Sequence, residues 1–293
     1  MRLVGTHVAL VTPFKGGAVD EDALRGLIDH VIDGGVEGIV PCGTTGETPT
    51  LSRTEIARVI SIAVEQAAGR VTVIAGSGSN STAATMENTR AVRELGVDAA
   101  LIATPYYNKP SQAGLVAHYE AVANAVPGFP FVLYNVPGRT GCNLLPETVE
   151  KLSHRDEVIA VKEASGDLSQ AQSILDTCGD RLTVLSGDDA LSLPMYALGG
   201  HGVITVAGNV VPREMSELHR IFQSGDLTGA AALQSRLNPL FEALFCEPNP
   251  QPCKAALALM GHMENELRLP LIPVTGGTLE RMRGVLTELG CLR

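Results

Sequence analysis

The sequence predicts an α/β fold closed as a (β/α)8 (TIM) barrel, followed by a C-terminal helical extension. Three observations carry this. Eight short apolar, β-rich runs recur along the chain, at residues 7–14, 38–43, 71–78, 99–107, 130–137, 158–165, 182–189 and 202–209. Helical patterns lie between them, and eight strand–helix alternations fit a closed barrel better than an open doubly wound sheet. After the eighth run the remaining chain is predominantly helical in pattern, which divides it into a barrel over 1–210 and an extension over 211–293.

Near-continuous apolar runs, as opposed to alternating ones, read as parallel strands buried on both faces. Over 20–34, Leu24, Leu27, Ile28, Val31 and Ile32 fall on one helical stripe. Ser52 and Glu55 form a capping-box pattern ahead of Ile56, Val59, Ile60, Ala63 and Val64. Residues 82–95, 111–125 and 168–178 are further helices, and Leu145-Pro146-Glu147 reads as a helix start with proline in the first turn. The extension contributes helical patterns at 212–222, 227–245, 252–263 and 279–289.

Composition narrows the function. Of the 293 residues, 45% are hydrophobic and 18% charged, which is ordinary for a folded domain. A net charge of −10 argues against a nucleic acid or an anionic membrane as the main partner. The six cysteines and seven histidines show no CxxC, HxH or HExxH spacing, so a zinc or other transition-metal site is not expected. Scattered cysteines fit reduced thiols. With no signal-peptide pattern at the start and no membrane-length apolar stretch, the expected location is the cytoplasm.

In such a barrel the chemistry sits at the C-terminal ends of the strands. There Lys162 follows the apolar run Val158-Ile159-Ala160-Val161. An amine at the end of a buried strand is costly unless its charge is suppressed or used, and a neutral amine attacks carbonyl carbons. The segment alone is equally compatible with a lysine that snorkels to solvent. Gly43-Thr44-Thr45-Gly46-Glu47 ends the second run; its N–H groups and hydroxyls could hold a carboxylate, or it is a plain turn with Glu47 binding local N–H groups. Three of the five tyrosines, Tyr106, Tyr107 and Tyr134, stand at the ends of the fourth and fifth runs, as proton carriers or as core aromatics. Arg139 offers a planar fork for a carboxylate, or a surface ion pair. Asp188 and Asp189 end the seventh run without a third metal ligand nearby, and helix capping is the expected job of at least one.

These motifs identify a resemblance. Thr104-Pro105-Tyr106-Tyr107-Asn108-Lys109-Pro110, Tyr134-Asn135-Val136-Pro137-Gly138-Arg139-Thr140-Gly141, Val161-Lys162-Glu163-Ala164, the Gly43–Glu47 turn, Ser186-Gly187-Asp188-Asp189 and Glu247-Pro248-Asn249-Pro250 together resemble the dihydrodipicolinate synthase family of pyruvate-dependent class I aldolases and lyases. The resemblance runs from about Val8 to the C-terminus. It implies a lyase of lysine and diaminopimelate biosynthesis that condenses pyruvate with L-aspartate 4-semialdehyde. Lys162 would be the Schiff-base lysine, Tyr134 the proton carrier, Thr44 its hydroxyl relay, and Tyr107 a tyrosine lent by a neighbouring subunit of a homotetramer built from tight dimers. Thr45 would bind the pyruvate carboxylate and Arg139 the second substrate, with Gly187 and Ile204 lining the pocket.

One departure concerns regulation. Asn80 and Tyr106 match the feedback site for lysine, but Ile56 and Ala84 replace a histidine and a glutamate of lysine-sensitive members, and Arg53 replaces another histidine. Losing a carboxylate partner for the lysine ammonium should cost on the order of 1–3 kcal/mol, so feedback inhibition should be weak or absent. The alternative reading is a sister Schiff-base lyase acting on sialate, 2-keto-3-deoxygluconate or 4-hydroxy-2-oxoglutarate. That enzyme would keep Lys162, Tyr134 and the Gly43–Glu47 turn, but Arg139 and the Tyr106-Tyr107 pair argue against it.

Overall fold

A computed structural model describes residues 1–292. The expected eight strands are present: β1 (Gly5–Ala9), β2 (Gly38–Val40), β3 (Thr72–Gly76), β4 (Ala99–Ala103), β5 (Phe131–Asn135), β6 (Val158–Glu163), β7 (Thr183–Ser186) and β8 (Gly202–Thr205). They form one closed barrel in which β1 neighbours both β2 and β8. Pairing is parallel throughout the registered ladders. β1, β2, β5, β7 and β8 are buried along their whole length, as continuous apolar runs require when both faces are covered.

Every strand stops short of the apolar run that predicts it. The small and polar residues at the run ends leave the ladder and turn; these turns carry Thr44, Thr45, Tyr107, Arg139 and Gly187, while Tyr134, Lys162 and Ile204 stay in the strands. The first run departs most. Its tail, Phe14–Lys15, pairs antiparallel with Ala18–Val19 in a separate hairpin. Gly16 and Gly17, both at positive φ, form the two-residue turn that such a hairpin needs.

The helices follow their local signals. α1 (Glu21–Asp33) is capped by Asp20, and α2 (Arg53–Ala67) carries the Ser52–Glu55 capping box with both reciprocal hydrogen bonds in place. α3 (Thr82–Glu94) and α4 (Gln112–Ala125) are capped by Ser81 and Ser111. α5 (Pro146–Leu152) opens on its proline, and α6 (Leu168–Cys178) is capped by Asp167. α7 (Ser192–Ala197) has no counterpart in the sequence reading, because six residues are too few to show a helical period. Its cap position holds Leu191, without a side-chain bond. Asp188, one of the two aspartates of which at least one is expected to cap a helix, accepts from the Ala190 N–H through its Oδ1 and closes the preceding turn. α8 (Pro212–Gln223), α9 (Leu227–Phe245), α10 (Gln251–Leu259) and α11 (Gly276–Glu288) complete the chain.

Contacts divide the chain into two compact units. One comprises Met1–Gly5 and Val73–Ile204, in which α3 packs on α4, α4 on α5, α5 on α6 and α6 on α7. The other comprises Thr6–Thr72 and the chain from Thr205 on. There α1 packs on α2 and α8, α8 on α9, and α11 on both α9 and α10.

Candidate active site

Lys162 and Tyr134 are direct partners across β5 and β6. Register and pleat place both on the same face, and both are buried, 5% and 7% exposed. The Lys162 Nζ lies 4.4 Å from the centre of the Tyr134 ring. The lysine therefore does not snorkel, and no ion pair to it forms among the described residues. The carboxylate next to it in sequence, Glu163, faces the opposite side of the strand.

Gly187 makes room for that lysine. A Cβ there would lie 2.6 Å from the Ala164 Cβ, 3.0 Å from the Lys162 Cε and 3.1 Å from its Cγ. The Gly187 N–H also donates to the Glu163 carbonyl at 2.7 Å, so its backbone is seated directly beside the lysine stem. Ile204 is fully buried in β8.

The ends of β4 and β5 are laced together. The Thr104 hydroxyl donates to Thr140 Oγ1 at 3.1 Å, and the Tyr107 N–H donates to the Thr140 carbonyl at 3.3 Å. Arg139 lies exposed in the single helical turn Pro137–Thr140, and the surface ion pair that was its alternative role does not form among the described residues. Tyr107 is 88% exposed and held at φ 71°, a left-handed conformation costly for a bulky side chain. Tyr106 is also exposed, and the Asn80 carbonyl accepts from Asn108 Nδ2 at 2.8 Å. Ala84 on α3 and Ile56 on α2 are half-buried, and Arg53 opens α2 on the surface.

In the second unit, the turn after β2 is built from backbone bonds. The Gly46 N–H donates to the Gly43 carbonyl and the Glu47 N–H to the Thr44 carbonyl, both at 3.1 Å. Thr45 is buried, and its Oγ1 accepts from Asn249 Nδ2 at 3.0 Å. Glu47, in a left-handed conformation, does not bind local N–H groups. It forms a fully buried ion pair with Lys254 and accepts from the Arg268 N–H at 3.1 Å. Lys254 also donates to the Glu266 carbonyl at 2.9 Å and stands 4.0 Å above the Phe14 ring. Burial pulls the Lys254 pKa below the ordinary lysine value, against the opposing pull of Glu47. The sequence reading missed Lys254, which follows Gln251-Pro252-Cys253 and so lacks the preceding apolar run that marked Lys162.

Among the described residues no group of three or more His, Cys, Asp or Glu side chains could hold a metal ion, and no helix is long and apolar enough to cross a membrane. A lysine sealed at a barrel strand end against a tyrosine, with hydroxyl-bearing turns at other strand ends, defines a barrel lyase of the class I aldolase type. The chain belongs to the dihydrodipicolinate synthetase family, whose model matches residues 2–289. It is 53% identical over 284 residues to the 4-hydroxy-tetrahydrodipicolinate synthase of Geobacter sp. (strain M21), covering 97% of this chain and 98% of that one. The dihydrodipicolinate synthase structure from Thermotoga maritima superposes with a TM-score of 0.98 at 40% identity, covering all of both chains. The chloride-inhibited enzyme from Acinetobacter baumannii, complexed with pyruvate, gives 0.96 at 41% identity over 99% of each chain.

Proposed function

We propose that the chain catalyses the 4-hydroxy-tetrahydrodipicolinate synthase reaction, condensing pyruvate with L-aspartate 4-semialdehyde for lysine and diaminopimelate biosynthesis. The observation that carries this reading is the buried Lys162 amine over the Tyr134 ring. Lys162 Nζ adds to the ketone carbon of pyruvate, and loss of water leaves an imine. Loss of a methyl proton gives the enamine, whose carbon attacks the aldehyde of the second substrate while the aldehyde oxygen takes a proton. Attack of the second substrate's own amine on the imine carbon closes the ring and returns the Lys162 amine.

Tyr134 is the proton carrier for these steps, with Thr44 and Tyr107 as further hydroxyls of its relay. Thr45 holds the pyruvate carboxylate. Since Asn249 donates to the Thr45 oxygen, the Thr45 hydroxyl keeps its own hydrogen for that carboxylate. Arg139, exposed at the end of the fifth strand, takes the carboxylate of the semialdehyde. Gly187 and Ile204 line the pocket, and the reaction as written calls for no cofactor.

On the same reading, residues 1–210 form the catalytic barrel and 211–293 its extension. Tyr107 belongs in the site of a second subunit of a homotetramer, which accounts for a large aromatic held exposed. The degenerate set Asn80, Tyr106, Ala84, Ile56 makes lysine a poor inhibitor; full inhibition by sub-millimolar lysine would overturn that. No disulfide joins the six cysteines among the described residues, in keeping with a cytoplasmic location.

The test is trapping with sodium borohydride in the presence of pyruvate, followed by peptide mass analysis. A reduced pyruvate adduct on Lys162 is expected. No adduct, or one on another lysine, would refute the mechanism. Assays with L-aspartate 4-semialdehyde against the sialate, 2-keto-3-deoxygluconate and 4-hydroxy-2-oxoglutarate lyase substrates then decide the reaction.

A further inference from the structure

Behind the candidate site, on the face of β5 and β6 turned away from Lys162 and Tyr134, lies a buried polar network. Asn135 and Glu163 are direct partners in the same register, one step beyond the Tyr134–Lys162 pair. Asn135 is fully buried and Glu163 is 3% exposed. Asn135 Nδ2 lies 3.0 and 3.3 Å from the two Glu163 oxygens. Glu163 Oε1 also accepts from the Ser165 N–H at 2.6 Å, and Oε2 from Gln170 Nε2 at 3.1 Å. Every one of these donors is neutral, and the reaction as written uses none of them.

The network continues to the segment after Arg139. The Leu144 N–H donates to Asn135 Oδ1 at 2.9 Å, and Asn135 Nδ2 donates to Asn143 Oδ1 at 2.8 Å. Asn143 Nδ2 donates in turn to Gln170 Oε1 at 2.7 Å. Asn135 thus closes a loop on itself: the chain leaves β5 at Asn135, carries Arg139, and is pinned back to Asn135 at residues 143 and 144.

We infer that Glu163 is a positioning residue: its carboxylate locks the β5 and β6 ends and the Arg139 loop into one unit, setting both the attack geometry of Lys162 and the placement of Arg139. The physical case is a count of hydrogens. Two carboxylate oxygens face three donor groups, so an acid side chain satisfies all of them. A glutamine would turn its own NH2 against one of these donors in a buried site, where an unmet donor is costly. The strand must then shift, and Lys162 is the residue next to it. A displacement of about 1 Å can cost on the order of a hundredfold in rate.

The inference rests on the proposed Schiff-base role of Lys162, and the experiment separates the two. The rate of borohydride-trapped adduct formation with pyruvate, kcat, and both KM values are measured for the wild type, Glu163→Gln, Gln170→Ala and the exchange variant Glu163→Gln/Gln170→Glu, well below each variant's melting temperature. Glu163→Gln should form the adduct about tenfold or more slowly. Its KM for the semialdehyde should rise through the Arg139 loop, while its KM for pyruvate changes less. The exchange variant, which restores donor against acceptor, should recover most of the lost rate. A folded Glu163→Gln with wild-type trapping rate and kcat overturns the inference and leaves the Schiff-base reading intact. A rate lost only in proportion to lost folded protein, with both KM values unchanged, also overturns it. If Glu163→Gln does not fold, Gln170→Ala carries the same test, and an unchanged trapping rate there is equally fatal. A wild type without a Lys162 adduct removes the Schiff-base reading, and the inference with it.

Discussion

The Lys162 side chain sits in a slot with the Tyr134 ring at its Nζ and the bare backbone of Gly187 along its stem. Each wall makes a prediction. Removing the Tyr134 hydroxyl in Tyr134→Phe keeps the ring and deletes the proposed proton carrier, so kcat should fall by about 10²–10⁴ with little change in melting temperature. Gly187→Ala puts a methyl group 2.6 Å from the Ala164 Cβ and against the lysine stem. The clash should cost about 1–3 kcal/mol in denaturant unfolding and slow adduct formation on Lys162. Tyr134→Phe with wild-type kcat would remove the tyrosine from the mechanism. At this scale the sequence was informative about residue types at strand ends, but the lysine after four apolar residues was equally compatible with snorkelling until the other motifs were read beside it. The family resemblance placed Gly187 in the pocket, but that its missing side chain makes room for the lysine stem depends on where β7 lies beside β6.

Among the elements, α2 shows how far local chemistry reaches. The Ser52–Glu55 capping box was legible from spacing alone, and its bonds are formed. The same Glu55 carboxylate also binds Arg268, more than two hundred residues away, which no local rule could reveal. Ser52→Ala should cost about 1 kcal/mol of stability. The Arg268 guanidinium first, then the Ser52 N–H, hold the Glu55 pKa down at about 2. A carboxylate whose folded pKa is depressed stabilises the fold above the ordinary carboxylate pKa, and that contribution is lost as pH falls toward the folded value. Melting temperature should therefore drop on acidification below about pH 4.5 and down to about 2, and Glu55→Gln should flatten that part of the profile. An unaltered profile would mean that other carboxylates carry the acid transition. The same contrast explains the strand ends. Apolar runs mark where strands are, but the exact residue that leaves the ladder is decided by bonds such as those of Thr104 and Thr140.

At the scale of the whole molecule, the buried Glu47–Lys254 pair ties the turn after β2 to the C-terminal helices. Lys254→Met leaves a carboxylate buried without its cation and should cost about 3–5 kcal/mol, whereas replacing both residues with apolar ones should cost much less. Equal losses in the single and double variants, measured by chemical unfolding, would show that the pair is not coupled. The sequence by itself determined the barrel class, the identity of the lysine strand and the family, because these rest on periodicity and on motifs contiguous in the chain. The helical patterns after β8 were equally visible, since they too are local. Only the tertiary structure decided which distant partners these charged groups find: Glu47 with Lys254, Glu55 with Arg268, and Glu163 with the neutral amides of Asn135 and Gln170. The physical reason is that a strand or helix is specified by neighbours within a few residues, whereas the cost of burying a charge depends on partners that folding alone brings within hydrogen-bond reach.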